Sequence, residues 1–225
     1  MGITNWRKSL LALALVASAA PVTAASCVAG SVSSYVALAG TGCTVNGLTF
    51  SDFAVGIFPG PTSQQIAPAT LSIAPLVNGF SLTSASAISA VADQLFGFRL
   101  TFDVHGTSLT GGTVAFGSSR SATGDGVLTA LLDAGASGNA IALVIDGFAD
   151  TPQSFASSAV AGYVAFLELG IDGGTDGSAS LGPELASLTF ANGTIAPVPE
   201  PESALLIVTG LIAVYVRRRR APCVS

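Results

Sequence analysis

The segment that decides the fold class of this chain is Phe96-Gly97-Phe98-Arg99-Leu100-Thr101-Phe102-Asp103-Val104. Large apolar residues occupy every second position, and small or polar residues stand between them. Because side chains alternate between the two faces of a β-strand, this period of two predicts a strand with one buried and one exposed face. We therefore expect Phe96, Phe98, Leu100 and Phe102 in the core of a predominantly β protein.

Other candidate strands lie on both sides of this segment, at residues 48–57, 71–77, 113–116, 127–132, 141–148, 160–171 and 185–190. Glycine-rich turn signals separate them, among them Thr123-Gly124-Asp125-Gly126, Gly138-Asn139 and Asp172-Gly173-Gly174. Many short strands divided in this way are typical of an antiparallel β-sandwich. We predict an all-β, jelly-roll-like sandwich for residues 26–197. Residues 84–94 fit a short helix as an alternative to a strand.

The first 25 residues have the three parts of a secretory signal peptide. Arg7 and Lys8 precede an apolar run at residues 10–20, and Thr23-Ala24-Ala25 supplies small residues for cleavage. This run is too short to cross the ~30 Å hydrocarbon core of a membrane as a helix. The sequence therefore predicts export. A lipid-modified Cys27 is an alternative, although the position three residues before it holds Ala24 and not a large aliphatic residue.

The charge of the chain is unevenly distributed. Only 9% of all residues are charged, and six of the eight lysines and arginines lie in the two terminal segments. The region between them keeps two cations, Arg99 and Arg120, against eleven acidic residues, which gives a net charge of −9. A body this acidic repels polyanions, so nucleic acid and anionic membrane surfaces are excluded as its partners.

Two of the three cysteines, Cys27 and Cys43, lie in the predicted body. Thiols normally pair in the oxidising compartments to which exported proteins are delivered. We therefore predict a disulfide between them, and a loop of this size is worth about 3 kcal/mol of stability in the chain-entropy account. Two free buried cysteines are the alternative. Cys223 lies outside the body, beyond the arginines near the C-terminus.

Three unlike features follow one another in the last 28 residues. The tetrapeptide Val198-Pro199-Glu200-Pro201 comes first, and its two prolines favour an extended, accessible segment. An uncharged stretch at 203–216 follows, which is about 21 Å long as a helix. Four arginines end the series, and the positive-inside rule places them in the cytoplasm: Arg217, Arg218, Arg219 and Arg220.

This order of features resembles the PEP-CTERM sorting signal that exosortases recognise, and we assign residues 198–225 to it. The resemblance implies export, cleavage near the motif by an exosortase, and delivery to the cell surface or extracellular matrix. From the short apolar stretch and the arginines we also predict a transient inner-membrane intermediate, held by the tail. It also implies a role in biofilm, with extracellular polysaccharide as a partner. Five residues follow the arginines, where such tails usually stop. A plain C-terminal membrane anchor is the alternative.

The start of the body resembles a pattern found in some PEP-CTERM proteins of unassigned function. The residues that carry this resemblance are Cys27, Gly30, Tyr35, Leu38, Gly42, Cys43, Phe50 and Phe53. The resemblance implies a related family of bodies and no particular chemistry.

Sequence motifs for catalysis are few. Lys8 is the one lysine, so the body has no Walker-type phosphate-binding loop, and the chain contains no Gly-x-Ser-x-Gly elbow. His105 is the one histidine, which excludes zinc sites that need a histidine pair. A Ser–His–Asp site built from His105 and Asp103 stays open because triads assemble in space. We expect instead a turn or surface histidine at the end of a strand, no cofactor, and a body that is not an enzyme.

Carboxylates are the remaining chemical resource. Asp172 and Asp176 stand four residues apart in a glycine-rich loop, and calcium is bound by oxygen ligands from such loops. The spacing is not that of an EF-hand, so the two residues are weak calcium candidates. Two alternatives to a structural surface protein follow: a glycan- or calcium-binding adhesive module, and a secreted hydrolase using paired carboxylates such as Asp103 and Glu168.

Overall fold

The computed structural model of this protein describes residues 24–60 and 63–193. These residues form sixteen β-strands, one short α-helix and three turns of 3₁₀ helix. The α-helix, α1, spans Val32–Val36. The strands are β1 Ala25–Ser26, β2 Gly30–Ser31, β3 Cys43–Val45, β4 Leu48–Gly56, β5 Gln64–Gln65, β6 Leu71–Leu76, β7 Gly79–Ser84, β8 Ile88–Val91, β9 Leu95–Phe116, β10 Arg120–Thr123, β11 Val127–Asp133, β12 Asn139–Ile145, β13 Phe148–Asp150, β14 Gln153–Asp172, β15 Ser178–Leu181 and β16 Glu184–Asn192.

Two very long strands, β9 and β14, organise the sheet. They pair antiparallel along most of their length, and β11, β12 and β13 follow on the far side of β14. The other edge of β9 is shared, because β4 pairs with its first half and β16 with its second half. Strands β7, β6 and β2 continue from β16. A separate three-stranded sheet has the order β10-β15-β8.

Irregular pairing in the middle of β9 and β14 lets one part of the sheet pack against another. The β14–β9 register shifts twice between Ala156 and Gly162, and bulges of this kind bend strands. Phe80 on β7 meets Phe50 on β4 and Phe102 on β9 edge to face, with ring centroids 5.7 Å and 5.1 Å apart. The apolar faces of β4, β7 and the first half of β9 therefore enclose a common core.

The segment that decided the fold class behaves as predicted. Phe98, Leu100 and Phe102 are buried, while Phe96 is partly buried and packs against the core. The residues between the three buried side chains, Arg99 and Thr101, keep part of their surface exposed. The predicted all-β, mainly antiparallel class is confirmed. The finer prediction of a jelly-roll-like sandwich stays a prediction.

Three local predictions need correction. Residues 84–94 contain strand β8 and no helix, because β8 pairs with β15 from Ile88 to Val91. The predicted strand 141–148 is divided by a two-residue turn at Asp146-Gly147, where both residues have positive φ. Strand β9 does not end before His105 but continues to Phe116, and includes the predicted strand 113–116.

The two terminal predictions lie outside the described residues, apart from the last two positions of the signal peptide. These are the signal peptide at 1–25 and the sorting signal at 198–225. Within residues 24–60 and 63–193, none of the helices has the length and apolar character needed to cross a membrane.

Candidate functional site

The predicted disulfide is present in the N-terminal segment of the body. Cys27 and Cys43 are joined, with their Cα atoms 4.9 Å apart. The bond reinforces the short parallel pairing of β1 with β3, in which Ala25 lies beside Cys43. Cys43 is buried whereas Cys27 keeps part of its surface exposed. The bridge thus fastens the first strand of the body to the hairpin formed by β3 and β4.

The residues between the two cysteines pack onto the core through Tyr35. Its ring meets that of Phe53 edge to face, with centroids 5.1 Å apart, and its hydroxyl donates to the carbonyl oxygen of Val28. Burial raises the pKa of the Tyr35 hydroxyl. At Gly42 the backbone has φ +56°, and a Cβ atom would lie 2.2 Å from the carbonyl oxygen of Phe50. Packing therefore accounts for Tyr35, Gly42 and Phe53 of the resembling N-terminal pattern.

The acidic loop after β14 is closed by carboxylates that accept backbone hydrogen bonds. Asp125, in the turn between β10 and β11, accepts from the amides of Thr175 and Asp176 at 2.7 and 3.0 Å. Asp172 accepts from the amide of Gly174 at 2.8 Å. The backbone bonds from Thr175 and Asp176 hold the pKa of Asp125 below its usual value. The carboxylates at this end of the body therefore stabilise turns.

The calcium candidates lie in this acidic loop. Asp172 is occupied by its own turn, and Asp176 is exposed. Two carboxylates alone fall short of the six to eight oxygen ligands that calcium takes. Nowhere in the described part of the chain do three or more His, Cys, Asp or Glu side chains form a group able to hold a metal ion. Nothing in the geometry adds to the weak sequence signal for calcium.

We expect an Asp125→Asn substitution to destabilise the protein in a pH-dependent way. A carboxylate with a depressed pKa stabilises the folded state above the unfolded-state pKa of about 3.9, and that stabilisation is lost as the pH falls through the lower folded-state value. Urea unfolding of both proteins at pH 7 and at progressively lower pH measures the difference. It should be largest at pH 7 and shrink below pH ~4. A difference that grows on acidification would contradict the role assigned to Asp125.

The structure does not bring together the residues of the hydrolase alternative. Asp103 lies opposite Val164 on β14, whereas Glu168 lies opposite Arg99, four positions along the strand. Four residues of strand correspond to about 13 Å, which is beyond the separations at which paired carboxylates act on one glycosidic bond. Glu168 instead forms an ion pair with Arg99, with Nη1 and Oε2 3.8 Å apart.

His105 is exposed, as predicted, but its setting is the middle of a strand and not a turn. It pairs with Thr49 on β4 and with Gly162 on β14. A Cβ atom at position 162 would lie 2.4 Å from its Nδ1, so the imidazole occupies the space that this glycine leaves. The position of His105 is accounted for by packing beside Gly162.

A shallow, uncharged surface groove of about 490 Å³ lies across the ends of β6, β9 and β16. Thr113 and Thr189 are register partners on two adjacent strands, and both stay partly exposed. The β6–β7 turn adds Val77, which is 73% exposed, and the amide of Asn78. Hydroxyl, amide and aliphatic groups thus meet without a formal charge. Local sequence spacing does not predict this groove, because the pairing of β9 with β16 is what brings Thr113 beside Thr189.

The comparison with known families finds its match in the tail. A family model described as the PEP-CTERM protein-sorting motif matches residues 197–220. This chain carries a PEP-CTERM protein-sorting motif. The match contains the predicted tetrapeptide from Val198 to Pro201, the apolar stretch and the four arginines. No curated protein and no solved structure matches the chain.

The PEP-CTERM motif implies export, sorting to the cell envelope and an exosortase as the processing partner. Its match ends at Arg220, so Ala221 to Ser225 fall outside it. The described residues, 24–60 and 63–193, are not covered by the match.

Proposed function

We propose that the tail holds this PEP-CTERM protein transiently in the inner membrane before an exosortase cuts the chain near Pro199 to Pro201. Arg217 to Arg220 remain on the cytoplasmic side, and the β-sandwich body is released to the cell surface or extracellular matrix. There it acts as a structural, non-enzymatic component. The single observation that carries the proposal is the match of the sorting motif at residues 197–220.

Two properties of the body support an extracytoplasmic location. The Cys27–Cys43 disulfide is a type of bond that forms and persists in oxidising compartments. The net charge of −9 between the terminal segments keeps proteins soluble and repels anionic surfaces. We therefore expect the tail, and not the body, to contact the membrane.

Deleting residues 203–220 tests the role of the tail. The shortened protein lacks the apolar stretch and the arginines, so we expect it to appear as soluble protein outside the inner membrane. Separation of the inner membrane, periplasm, outer surface and medium, followed by detection of the body, locates both proteins. Unchanged surface attachment of the shortened protein would show that the body alone directs its delivery.

A neutral extracellular polysaccharide is the second candidate, as a ligand of the surface-delivered body. The observation that favours it is the uncharged groove, because the hydroxyls of Thr113 and Thr189 match a polyhydroxylated ligand and Val77 offers an aliphatic contact. We expect dextran, used as a neutral probe, to retard the protein in affinity electrophoresis. Thr189→Asp should abolish the retardation, whereas Thr129→Asp on β11 should not. Equal retardation of both variants would rule out this groove as the site.

A further inference from the structure

Three of the five asparagines in the chain precede a glycine, at Asn46, Asn78 and Asn192. The fold brings the three side chains to one end of the body. Asn46 Nδ2 donates to Asn78 Oδ1 at 2.7 Å, and a Cβ atom at Gly47 would lie 4.0 Å from Asn192 Nδ2. Asn-Gly pairs favour tight hairpin turns, but they also bring a reactive amide next to an unhindered backbone nitrogen.

Two of these Asn-Gly pairs are held by contacts that oppose attack of the glycine nitrogen on the asparagine side chain. Gly79, after Asn78, is buried in strand β7 between Leu76 and Thr189, and a Cβ atom there would lie 1.9 Å from the carbonyl oxygen of Leu188. Asn192 Oδ1 accepts two hydrogen bonds, from Thr107 Oγ1 and the Ser108 amide, both at 3.2 Å. Closure of a ring between the asparagine side chain and the glycine nitrogen would require the strand pairing to break at Asn78, and both hydrogen bonds to break at Asn192.

Asn46 lacks these restraints. Asn46 and Gly47 are both exposed and form the whole loop of the β3–β4 hairpin, with φ values of 47° and 79°. The closing pair is Val45 with Leu48, so the Gly47 amide lies outside the ladder. Among the described residues, one side-chain hydrogen bond, to Asn78, holds the amide of Asn46. The Gly47 nitrogen therefore has space to approach the Asn46 side-chain carbon.

We propose that Asn46 is a site of spontaneous deamidation in the folded protein. The Gly47 nitrogen loses its proton and attacks Cγ of Asn46, the Cγ–Nδ2 bond breaks, and ammonia leaves. The product is a five-membered succinimide. Water then opens the ring at one of its two carbonyl carbons and leaves aspartate or isoaspartate at position 46. Solvent water is the one co-reactant, and no atom changes oxidation state.

The product changes the contact between two hairpins. A carboxylate only accepts hydrogen bonds, so Asn78 must turn its amide to donate to it. The isoaspartate product also adds a methylene to the main chain of a two-residue loop, which is incompatible with the pairing of Val45 with Leu48. Each converted molecule gains one negative charge, so the converted fraction records the time since synthesis.

The test is peptide mapping by mass spectrometry of the full-length protein in detergent micelles, incubated at neutral and mildly alkaline pH. We expect the amide-to-acid mass change to accumulate severalfold faster at Asn46 than at Asn78 or Asn192, and faster at the higher pH. In a urea-unfolded sample the three pairs should convert at similar rates. This sample separates the effect of the fold from that of the local sequence.

Two variants extend the test. Asn78→Ala removes the acceptor that restrains Asn46 and should accelerate its conversion, whereas Gly47→Ala hinders the attacking nitrogen and should slow it. Conversion in the folded protein that is as fast at Asn78 or Asn192 as at Asn46 would overturn the proposal. So would an unmodified Asn46 after a time in which the unfolded sample has converted.

Discussion

Replacing Phe102 with alanine is expected to lower the free energy of unfolding by about 3–5 kcal/mol. Its ring is fully buried on β9 and lies within 5.1 to 6.3 Å, between centroids, of four other phenylalanine rings. These belong to Phe50, Phe53, Phe80 and Phe190, so truncation opens a cavity where separate parts of the sheet meet. Equilibrium urea unfolding under oxidising conditions, followed by far-ultraviolet circular dichroism, measures the loss.

The matched control is Phe148→Ala. Phe148 begins the edge strand β13 and is 65% exposed, so removal of the same side-chain atoms should change the stability by no more than ~0.5 kcal/mol. Losses of similar size at both positions would show that the aromatic cluster around Phe102 is not the centre of the core.

The fold class was predictable because the alternation around Phe98 to Phe102 is regular. The same criterion failed where the backbone departs from a regular strand. Phe50 and Phe53 are both buried although three positions separate them, since Asp52 takes φ +53° and the register of β4 shifts there. The turn signal was present at Asp146-Gly147, but the continuous apolar run hid it.

At the candidate site, prediction from the sequence was limited for a different physical reason. The disulfide could be predicted because two cysteines in an exported body have one possible pairing. The role of Asp125 could not, because its hydrogen-bond donors, Thr175 and Asp176, are about fifty residues away in sequence. The groove beside Thr113 and Thr189 depends in the same way on the register of β9 with β16. Contacts set by strand pairing are not visible in local spacing.

Replacing Glu200 with alanine is expected to trap the full-length chain in the inner membrane. A membrane anchor and a sorting signal share an apolar stretch and cytoplasmic arginines, but only the sorting signal needs a fixed charged tripeptide at the outer face. The stretch at 203–216 is also shorter than the ~20 apolar residues of a stable span. Membrane fractionation should show the uncleaved variant in the inner membrane and little protein at the surface. A matched Glu202→Ala variant should still be processed.

The intact mass of the protein recovered from its native surface tests whether residues 198–225 are a cleaved sorting signal. We predict a mature chain that begins near Ser26 and ends near Pro199 to Pro201, with the Cys27–Cys43 bond intact. A surface protein that still ends at Ser225 would contradict the claim and identify the tail as a permanent anchor.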